Sequence, residues 1–465
     1  MQGADFARRE ARHVKAVFVG AGKVGFELAR RLGIEGHDVV VIDHDSVALR
    51  EVEENLDVMV VHGSGTSSKL LKQVGVQDAG LFVAVTESDE VNMVACMTAK
   101  HLGIPLTVAR IRNHEAGLVS NGGLTYKDFG IDRVINAEEA VAYEITKLLK
   151  SPAATDVEYF ADGKVQMLGF RVQEGSVLAG KTVKDARLTH ATIGAILRDG
   201  NVIVPHGDTT IATRDEILVI GKTGVPTEAG WLTGSPDQVI RDITILGGGT
   251  IGYLIARFTE RHRGRGLSVK IIERDQARCE ILARDLKHTL VIQGDGINPE
   301  ILEEENVGSS GSFIAVTGGD QTNLLAGFMA KRLGNRKVIA ELQREEYQPI
   351  ASSMGLDVTV TPRVIVASTI LRLISKAKVA SLALLKDGSL EVLELVVAPG
   401  CRVCSKPLKA LDLPREVTVG AVIRGNQVIV PRGDTVPMPG DHMVIFTLPA
   451  LVPALETFFV PKGKT

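Results

Sequence analysis

Cysteine and aromatic residues are scarce in this sequence. The 465 residues include 4 cysteines and one tryptophan, and Phe, Trp and Tyr together make up 4% of the chain. Four thiols are too few to form the disulfide framework of a secreted protein, and sparse cysteine is typical of a reducing compartment. We therefore expect a cytoplasmic protein.

Long apolar runs and a strong charge of one sign are also absent. No stretch approaches the roughly 18 apolar residues that span a membrane, so we expect no direct membrane insertion. The formal net charge of -3 gives no attraction to nucleic acid or anionic lipid. Residues 1–15 contain several arginines but no apolar core, which excludes a secretory signal there. Any role at a membrane would depend on a partner protein.

The sequence contains two copies of one unit, about 230 residues apart. Three pairs of segments match: residues 14–25 with 242–252, 82–103 with 313–334, and 194–209 with 420–435. In the second pair, 11 of the 22 aligned residues are identical. An internal repeat of this length predicts a tandem duplication of a two-domain unit.

The pattern within each copy predicts an α/β fold with a smaller second domain. Short β-branched strands alternate with amphipathic helices, which is typical of a Rossmann-like, doubly wound parallel sheet. Shorter strands separated by Gly-rich turns follow, and they indicate a small α+β domain that is mostly β. The predicted order is a Rossmann-like nucleotide-binding domain at 14–150, a small domain at 151–224, a linker at 225–238, a second Rossmann-like domain at 239–378, and a second small domain at 379–465.

The first Rossmann-like domain begins with a glycine motif suited to a dinucleotide. Gly20 would allow the tight turn, Gly22 would let the backbone approach a pyrophosphate, and Gly25 would let helix and strand pack closely. The helix that follows presents free N–H groups and a positive dipole to the phosphates. Asp43 ends the second strand, where a carboxylate accepts both ribose hydroxyls and favours NAD over NADP. The alternative is a glycine-rich turn beside a solvated aspartate.

The second copy repeats these features. Gly247, Gly249 and Gly252 form the glycine motif, and Glu273 ends the second strand. A degenerate copy that is retained only for packing is the alternative here. Since the three glycines and the acid are all present, we expect a second nucleotide site.

Further polar residues recur at strand ends, where ligands of open α/β sheets bind. They are Thr86, Asp89 and Asn92 in the first copy and Thr317, Asp320 and Asn323 in the second. For the Asp and Asn residues, ligand contact and helix capping are equally good interpretations. The loops at 62–65 and 293–296 are placed to contact the adenine.

One pair of cationic residues is not duplicated. Arg110 and Arg112 on the predicted fifth strand correspond to Glu341 and Gln343 in the second copy. Replacing a cation by an acidic residue predicts that the two sites differ in their affinity for phosphate.

The sequence offers no catalytic residues for a dehydrogenase. Such an enzyme needs a substrate domain and a proton-transfer group beside the nicotinamide, and neither is visible. Cys401 and Cys404 form a CxxC motif, but the matching residues in the first copy are Ser176 and Ala179, so no metal site is expected. We expect a protein that is not an enzyme. An NAD-dependent oxidoreductase and a free-standing nucleotide sensor remain as alternatives.

The duplicated order of domains resembles the TrkA family, the cytosolic NAD-binding regulatory subunits of Trk potassium-uptake systems. These proteins are built from RCK domains, also called KTN domains. The resemblance rests on GAGKVG with Asp43, on VAVTESDEVNMVAC, and on VIVPRGDT in the small domain. It implies a homo-oligomeric, tetrameric ring on a membrane potassium channel, peripheral to the inner membrane. It also implies gating by NAD(H), and by ATP or ADP, without catalysis and without nucleic acid.

The resemblance also implies which residues contact the nucleotides. In the first half they are Gly20, Gly22, Lys23, Val24, Gly25, Asp43, Thr86 and Arg110. In the second half they are Gly247, Gly249, Thr250, Ile251, Gly252, Glu273 and Thr317. The second half departs from the pattern at Glu341, where the first half has a cation.

Overall fold

The computed structural model describes residues 14–460 apart from 35, 113–124, 187, 236–239, 262–266, 376–380, 386–388 and 405. Within these residues the chain forms two six-stranded parallel sheets and two five-stranded antiparallel sheets, which alternate along the sequence. The predicted Rossmann-like fold with small second domains is confirmed.

The first parallel sheet has the strand order β3-β2-β1-β4-β5-β6. Its strands are β1 (Lys15–Val19), β2 (Asp38–Asp43), β3 (Met59–His62), β4 (Leu81–Ala84), β5 (Leu106–Arg110) and β6 (Arg133–Ile135). The sequence pattern indicated the first five. It missed β6 because three residues are too short to show a period of two.

Helices connect these strands. They are α1 (Lys23–Ile34), α2 (Ser46–Asn55), α3 (Ser68–Gln73), α4 (Asp89–His101) and α5 (Ala137–Lys150). Side-chain oxygens of Asp45, Ser67 and Ser88 accept amide hydrogens at the beginnings of α2, α3 and α4. These caps satisfy donors that a helix leaves free at its amino end.

The first small domain is an antiparallel sheet with the order β10-β9-β11-β8-β7. Its strands are β7 (Asp156–Phe160), β8 (Val165–Arg171), β9 (Ala191–Arg198), β10 (Asn201–Ile203) and β11 (Glu216–Lys222). The stretch predicted as a linker contains a helix, α6 (Glu228–Thr233), in which Ala229 and Thr233 are buried. This stretch is rich in Gly, Pro and Thr, which are typical of a linker, and a helix of six residues is too short to show a periodic pattern.

The second parallel sheet repeats the first, with the order β14-β13-β12-β15-β16-β17. Its strands are β12 (Asp242–Leu246), β13 (Ser268–Glu273), β14 (Thr289–Gln293), β15 (Ser312–Ala315), β16 (Val338–Glu341) and β17 (Val358–Val360). The helices that follow strands of this sheet are α7 (Thr250–Arg261), α8 (Gln276–Asp285), α9 (Pro299–Glu304), α10 (Asp320–Arg332), α11 (Gln348–Ser353) and α12 (Pro362–Ser375).

The second small domain has the same strand order as the first, β18-β19-β22-β20-β21. Its elements are β18 (Ser381–Leu385), β19 (Leu390–Val396), β20 (Val417–Arg424), β21 (Gln427–Ile429), β22 (His442–Thr447) and the short helix α13 (Val452–Glu456). The duplication therefore extends from the sequence to the topology of both domains.

The two small domains share one hydrophobic core. It contains Phe160, Val165 and Leu218 from the first sheet together with Val392, Ala421 and Phe446 from the second. Gly194 on β9 allows the close approach, because a Cβ there would lie 2.2 Å from the Phe446 ring. Gly420, its counterpart on β20, would meet Ile220 at 2.7 Å. Glycine is thus required at equivalent positions of both sheets.

Contacts divide the chain into two compact units. Among the described residues, the first unit comprises those within 14–141 and 361–374, and the second comprises those within 142–360 and 375–460. Most of α12 therefore groups with the first parallel sheet, although it follows the second sheet in the sequence. This division does not test the predicted domain boundaries at 150 and 378, which stay a prediction. An amphipathic pattern shows that a helix has an apolar face without showing which sheet covers it.

Candidate nucleotide sites

The first glycine motif forms a tight turn between β1 and α1. Gly20 has φ +112°, and a Cβ there would lie 3.0 Å from Thr86 N. A Cβ on Gly25 would lie 1.8 Å from Gly20 O, so a larger residue would force the turn open. A Cβ on Gly22 would have no atom within 4 Å, which leaves the space above the turn free for a ligand.

The amino end of α1 offers free hydrogen-bond donors at this turn. Phe26 N donates to Gly22 O at 2.9 Å, and the amides before it have no partner within the helix. Lys23 is exposed and Val24 is half-buried in the first helical turn. These amides and the helix dipole fit the two phosphates of a dinucleotide.

Asp43 lies beside the turn at the end of β2. Its Oδ2 accepts a hydrogen bond from Ala21 N at 2.5 Å, and its Oδ1 accepts one from Asp45 N at 2.9 Å. Oδ1 also lies 3.0 Å from His44 Nδ1. Because a carboxylate oxygen has about two acceptor positions, Oδ2 retains one for a ribose hydroxyl. Asp43 therefore fits the ribose role and also holds the glycine turn in place.

The second glycine turn has the same geometry. Gly247 has φ +104°, and a Cβ on Gly252 would lie 2.0 Å from Gly247 O. A Cβ on Gly249 would again have no atom within 4 Å. Thr250 is exposed and Ile251 is half-buried at the beginning of α7, as are Lys23 and Val24 in the first half.

Glu273 occupies the position of Asp43. Its Oε2 accepts a hydrogen bond from Gly248 N at 2.7 Å, and its Oε1 accepts one from Asp275 N at 2.9 Å. The longer side chain thus reaches the same two backbone positions as the aspartate. This equivalence supports a second nucleotide site over a copy retained only for packing.

Arg278 distinguishes the second turn from the first. Its Nε donates to Gly248 O at 2.6 Å, and its guanidinium lies 6.0 Å from the centre of the Tyr253 ring. Ala48 is the corresponding residue of the first half, so this cation is not duplicated. Sequence reasoning missed Arg278, although a cation five residues after the ribose acid was visible.

Cys279 lies next to Arg278, with its Sγ 3.4 Å from Glu273 O. Partial burial raises the pKa of its thiol, and the carboxylates of Glu273 and Asp275 raise it further. The thiol therefore stays neutral at physiological pH and adds no charge to the site.

Asn92 is buried and ties the ends of β4 and β5 together. Its Oδ1 accepts hydrogen bonds from Thr86 N and Thr86 Oγ1, at 2.9 and 2.7 Å. Its Nδ2 donates to Thr86 O at 3.1 Å and to Arg110 O at 2.9 Å. Ser88, rather than Asn92, caps the helix by accepting Val91 N at 3.2 Å. Asn92 is thus a clamp that holds Thr86 in position.

Asn323 makes the same four hydrogen bonds in the second half. Its Oδ1 accepts from Thr317 N at 3.0 Å and from Thr317 Oγ1 at 2.6 Å. Its Nδ2 donates to Thr317 O at 3.2 Å and to Glu341 O at 2.9 Å. The duplication therefore preserves the clamp even where the fifth-strand residue changes from arginine to glutamate.

The aspartates that begin α4 and α10 bind backbone amides rather than capping their helices. Asp89 accepts Arg112 N at 3.1 Å. Asp320 accepts Gln343 N at 2.8 Å and Arg344 N at 3.1 Å. Both residues hold the chain where it leaves the fifth strand. The structure thus uses these Asp and Asn residues to support the strand ends on which the site stands.

Arg110 points toward an acidic partner. Its Nη2 lies 3.3 Å from Glu138 Oε1, and the two side chains are 17% and 23% exposed. Glu341, the counterpart of Arg110, is buried and accepts a hydrogen bond from Gln343 Nε2 at 2.6 Å. The residue at this strand end is therefore a cation that lies beside an acid in the first half and an acid in the second half.

The loops after the third strands lie against the ribose acids. Gly63 N donates to Asp43 O at 2.8 Å, and Gly294 N donates to Glu273 O at 2.9 Å. His62 Nε2 lies 3.0 Å from His44 O. The predicted adenine loops are thus attached to the same strand ends as the carboxylates.

A duplicated ion pair stabilises each small domain. Arg198 binds Asp215 through two hydrogen bonds, at 2.8 and 2.7 Å, and Arg424 binds Asp441 at 2.9 and 2.8 Å. Burial raises the pKa of Asp441, but the hydrogen bonds from Arg424 and Met438 N outweigh it and hold the pKa below its usual range. Asp441 therefore remains ionised at neutral pH, and both ion pairs hold the turn before the last strand of their sheet.

We also searched the described residues for a metal site, for a membrane-spanning helix and for a role of the CxxC motif. Among the described residues, no group of three or more His, Cys, Asp or Glu could hold a metal ion. No described helix is both long and apolar enough to cross a membrane. Cys401 is buried and Cys404 is partly buried, and neither forms a disulfide bond.

A glycine turn and a ribose-type acid in each parallel domain, followed by a small antiparallel domain, define a tandem RCK-domain protein. The TrkA-N domain matches residues 16–137 and 243–362, and the TrkA-C domain matches 167–225 and 392–460. The chain belongs to the TrkA family of Trk potassium-uptake proteins, which confirms the resemblance seen in the sequence.

Two relatives show the extent of this similarity. The Trk system potassium uptake protein TrkA homolog 1 of Methanosarcina mazei is 35% identical over 454 residues, covering 96% of this chain and 100% of the relative. TrkA of Haemophilus influenzae is 33% identical over 460 residues, covering 97% and 99%. The match extends over both halves.

Solved structures with a similar fold include RCK domains of a channel. The GsuK RCK domain matches 96% of this chain and 95% of its own, with a TM-score of 0.60 and 18% identity. The GsuK channel bound to NAD matches 96% of this chain and 78% of its own, also with a TM-score of 0.60 and 18% identity. These matches show the fold.

Proposed function

We propose that this chain is a nucleotide-sensing regulatory subunit that gates a membrane potassium-uptake channel. The observation that carries the proposal is the duplicated turn, in which Asp43 Oδ2 and Glu273 Oε2 each accept a glycine-turn amide and keep one acceptor position for a ribose hydroxyl. Binding of NAD(H), and of ATP or ADP, would shift the chain between two conformations, and the partner channel would respond.

The residues present fit the proposed NAD(H). Open space above Gly22 and Gly249 admits a pyrophosphate to the helix amides, and the acids at the ends of β2 and β13 face the ribose position. The contacts would come from the fifteen residues that the family resemblance implies. Asn92 and Asn323 would position two of them, Thr86 and Thr317. Structures of GsuK with NAD and with ADP, at TM-scores of 0.60 and 0.50, are consistent with this ligand class.

The proposed setting is a homo-oligomeric, tetrameric ring in the cytoplasm, attached to the inner membrane through its channel. The predicted domains at 14–150, 151–224, 239–378 and 379–465, with the linker at 225–238, are part of this proposal. We also propose that the chain is not an enzyme, because the conserved geometry of the two halves lies in backbone clamps and carboxylate–amide contacts rather than in proton-transfer groups.

The energy of gating gives the duplication a physical use. A tenfold preference of a nucleotide for one conformation supplies about 1.4 kcal/mol per site. Moving a channel from about 1% to 99% open takes roughly 5.5 kcal/mol, or about four such sites. Two sites per chain in an oligomer meet this requirement.

The test is potassium flux in vesicles that contain the channel and the bound subunit. Gly22→Leu together with Gly249→Leu places a side chain in each open space, where a Cβ meets no atom within 4 Å, so the response to nucleotide should disappear while channel binding remains. Gly207→Leu, at an exposed turn of the first small domain, is the matched control and should respond normally. A double variant that responds like the unmodified protein would refute the proposal.

A further inference from the structure

Two cysteines of the second small domain lie at the ends of one tight turn. Cys404 N donates a hydrogen bond to Cys401 O at 3.2 Å, which closes a β-turn of residues 401–404. The Cα atoms at the ends of such a turn are less than about 7 Å apart, and a disulfide needs about 4.4–6.8 Å. The backbone therefore already holds the two residues at a separation that a disulfide can bridge.

Both side chains pack against the same apolar cluster. Cys401 is 5% exposed and belongs to the core that includes Val403, Leu455 and Phe458, and Cys404 is partly buried against that core. Because Cys404 is the more exposed of the two, it is the thiol that a dissolved molecule meets first. The buried thiol of Cys401 lies close behind it and can react in a second step.

The first small domain contains the same turn without thiols. Its ends are Ser176 and Ala179, which correspond to Cys401 and Cys404 in the alignment of the repeats. Ala179 N donates to Ser176 O at 3.3 Å, so the turn closes in the same way. Since a serine and an alanine form this turn, its fold does not require a pair of thiols.

The cysteine turn also holds the end of the second small domain. Val403 N donates to Phe458 O at 3.2 Å, and the guanidinium of Arg402 lies 3.9 Å from the centre of the Phe458 ring. Phe458 follows α13 and packs in the same core as Cys401. A covalent change in the turn would therefore act directly on the segment that follows α13.

We propose that Cys401 and Cys404 are a modification site, at which a small oxidised disulfide converts the two thiols into a reversible disulfide. In the first step the Cys404 thiolate attacks one sulfur of the small disulfide, which forms a mixed disulfide and releases one small thiolate. In the second step the Cys401 thiolate attacks Cys404 Sγ and releases the other small thiolate. The two released thiolates take up the two protons that the cysteines lose. The protein is thus oxidised by two electrons, and the small disulfide is reduced to two thiols.

This disulfide would be a reversible cross-link of the turn. A cross-link stabilises less when the loop that it closes is shorter, and here it closes only residues 401–404. Excess small thiol should therefore reduce it again, as it does the transient disulfides of reducing compartments. While the cross-link lasts, the turn should open less often, and the segment after α13 should stay bound to it.

Thiol counting in denaturant and intact-mass measurement of the full chain test the proposal. The variant Cys96→Ala, Cys279→Ala keeps only the paired cysteines. We expect two thiols per chain after reduction and none after equilibration with excess oxidised glutathione, with a mass lower by two hydrogens. The peptide that contains Val403 should exchange its amide hydrogens several-fold more slowly in the oxidised form. Excess reduced glutathione should restore both thiols and the faster exchange.

The matched control is Cys401→Ser, Cys404→Ala, which gives the second turn the residues of the first. It should fold, and its exchange should not slow after the same treatment. Four outcomes would overturn the proposal: two thiols that remain after oxidation, a stable glutathione adduct in place of the disulfide, a disulfide that links two chains, or equal slowing in the control. If Cys96→Ala, Cys279→Ala does not fold, peptide mapping of the oxidised unmodified chain decides the same question, because it identifies the disulfide partner of Cys404.

Discussion

Asp43 and Glu273 each support the glycine turn and are also predicted to contact the ribose of the ligand. Each ends the second strand of its sheet, and each accepts the amide of the residue after the first glycine of the turn. Removing the acid would therefore loosen the turn as well as remove a ligand contact. A variant that separates these effects must keep an acceptor at the same position.

We expect Asp43→Ala to weaken NAD(H) binding by about 1–3 kcal/mol, the cost of losing a charge-assisted hydrogen bond to a buried ligand. Asp43→Asn retains an oxygen for Ala21 N and should lose less. Asp38→Ala, at the exposed amino end of the same strand, serves as the control and should bind normally. Calorimetry measures all three, and unchanged affinity in Asp43→Ala would remove this residue from the site.

Asn92 and Asn323 are the residues whose role changed most between sequence and structure. From the sequence, ligand contact and helix capping were equally good interpretations. The structure instead places each amide between the ends of two neighbouring strands, where it makes four hydrogen bonds. A side chain with both donors and acceptors can satisfy several buried backbone groups at once, which explains why asparagine occupies both positions.

At the scale of elements, the strand–turn–helix unit depends on different properties of its three glycines. Gly20 supplies a positive φ, Gly25 supplies close packing, and Gly22 leaves room above the turn. Gly20 and Gly25 are therefore needed for the stability of the turn, whereas Gly22 is needed for the access of a ligand.

We expect Gly25→Ala to lower the thermal unfolding midpoint, because its methyl group would lie 1.8 Å from Gly20 O. Overpacking of this kind costs about 1–3 kcal/mol. Gly22→Ala is the paired control, since its methyl group would meet no atom within 4 Å and the midpoint should stay unchanged. Equal midpoints for the two variants, measured by scanning calorimetry, would show that the turn is not packed as described.

The sheets of the small domains give a second example at this scale. Gly194 and Gly420 occupy equivalent strands, and a Cβ at either position would lie within 2.6 Å of the Phe446 ring. The duplication thus produced two surfaces that pack against each other within one chain. The repeat in the sequence showed two small domains, but it did not show that their sheets share a core.

At the scale of the whole molecule, the two halves are similar in backbone and different in charge. Arg110 corresponds to Glu341, and Arg278 of the second half corresponds to Ala48 of the first. These differences concern side chains that surround an unchanged framework of turns and clamps.

We therefore expect two nucleotide sites per chain with unequal affinities. Calorimetric titration with NAD, NADH, ATP and ADP should give two bound nucleotides per chain for at least one of them, with separable dissociation constants. Glu273→Ala should weaken binding at one class of site and leave the other unchanged, and Asp43→Ala should do the reverse. One nucleotide per chain in every titration would mean that the second turn is structural.

The sequence alone determined the features that depend on local chemistry and on repetition. Residue types and their spacing were enough to predict four features: the glycine turn with Gly20 and Gly25, the acids at the ends of the second strands, the strand–helix alternation and the duplication. Short elements escaped this reading: β6 has three residues and α6 has six, too few for a periodic pattern to emerge.

Only the tertiary structure decided which distant surfaces meet. It grouped most of α12 with the first parallel sheet and joined the two small sheets in one core. The physical reason is that the sequence shows which face of an element is apolar and will be buried, but not which other surface will cover it. The partner is chosen by shape and packing across the whole chain, which local spacing does not encode.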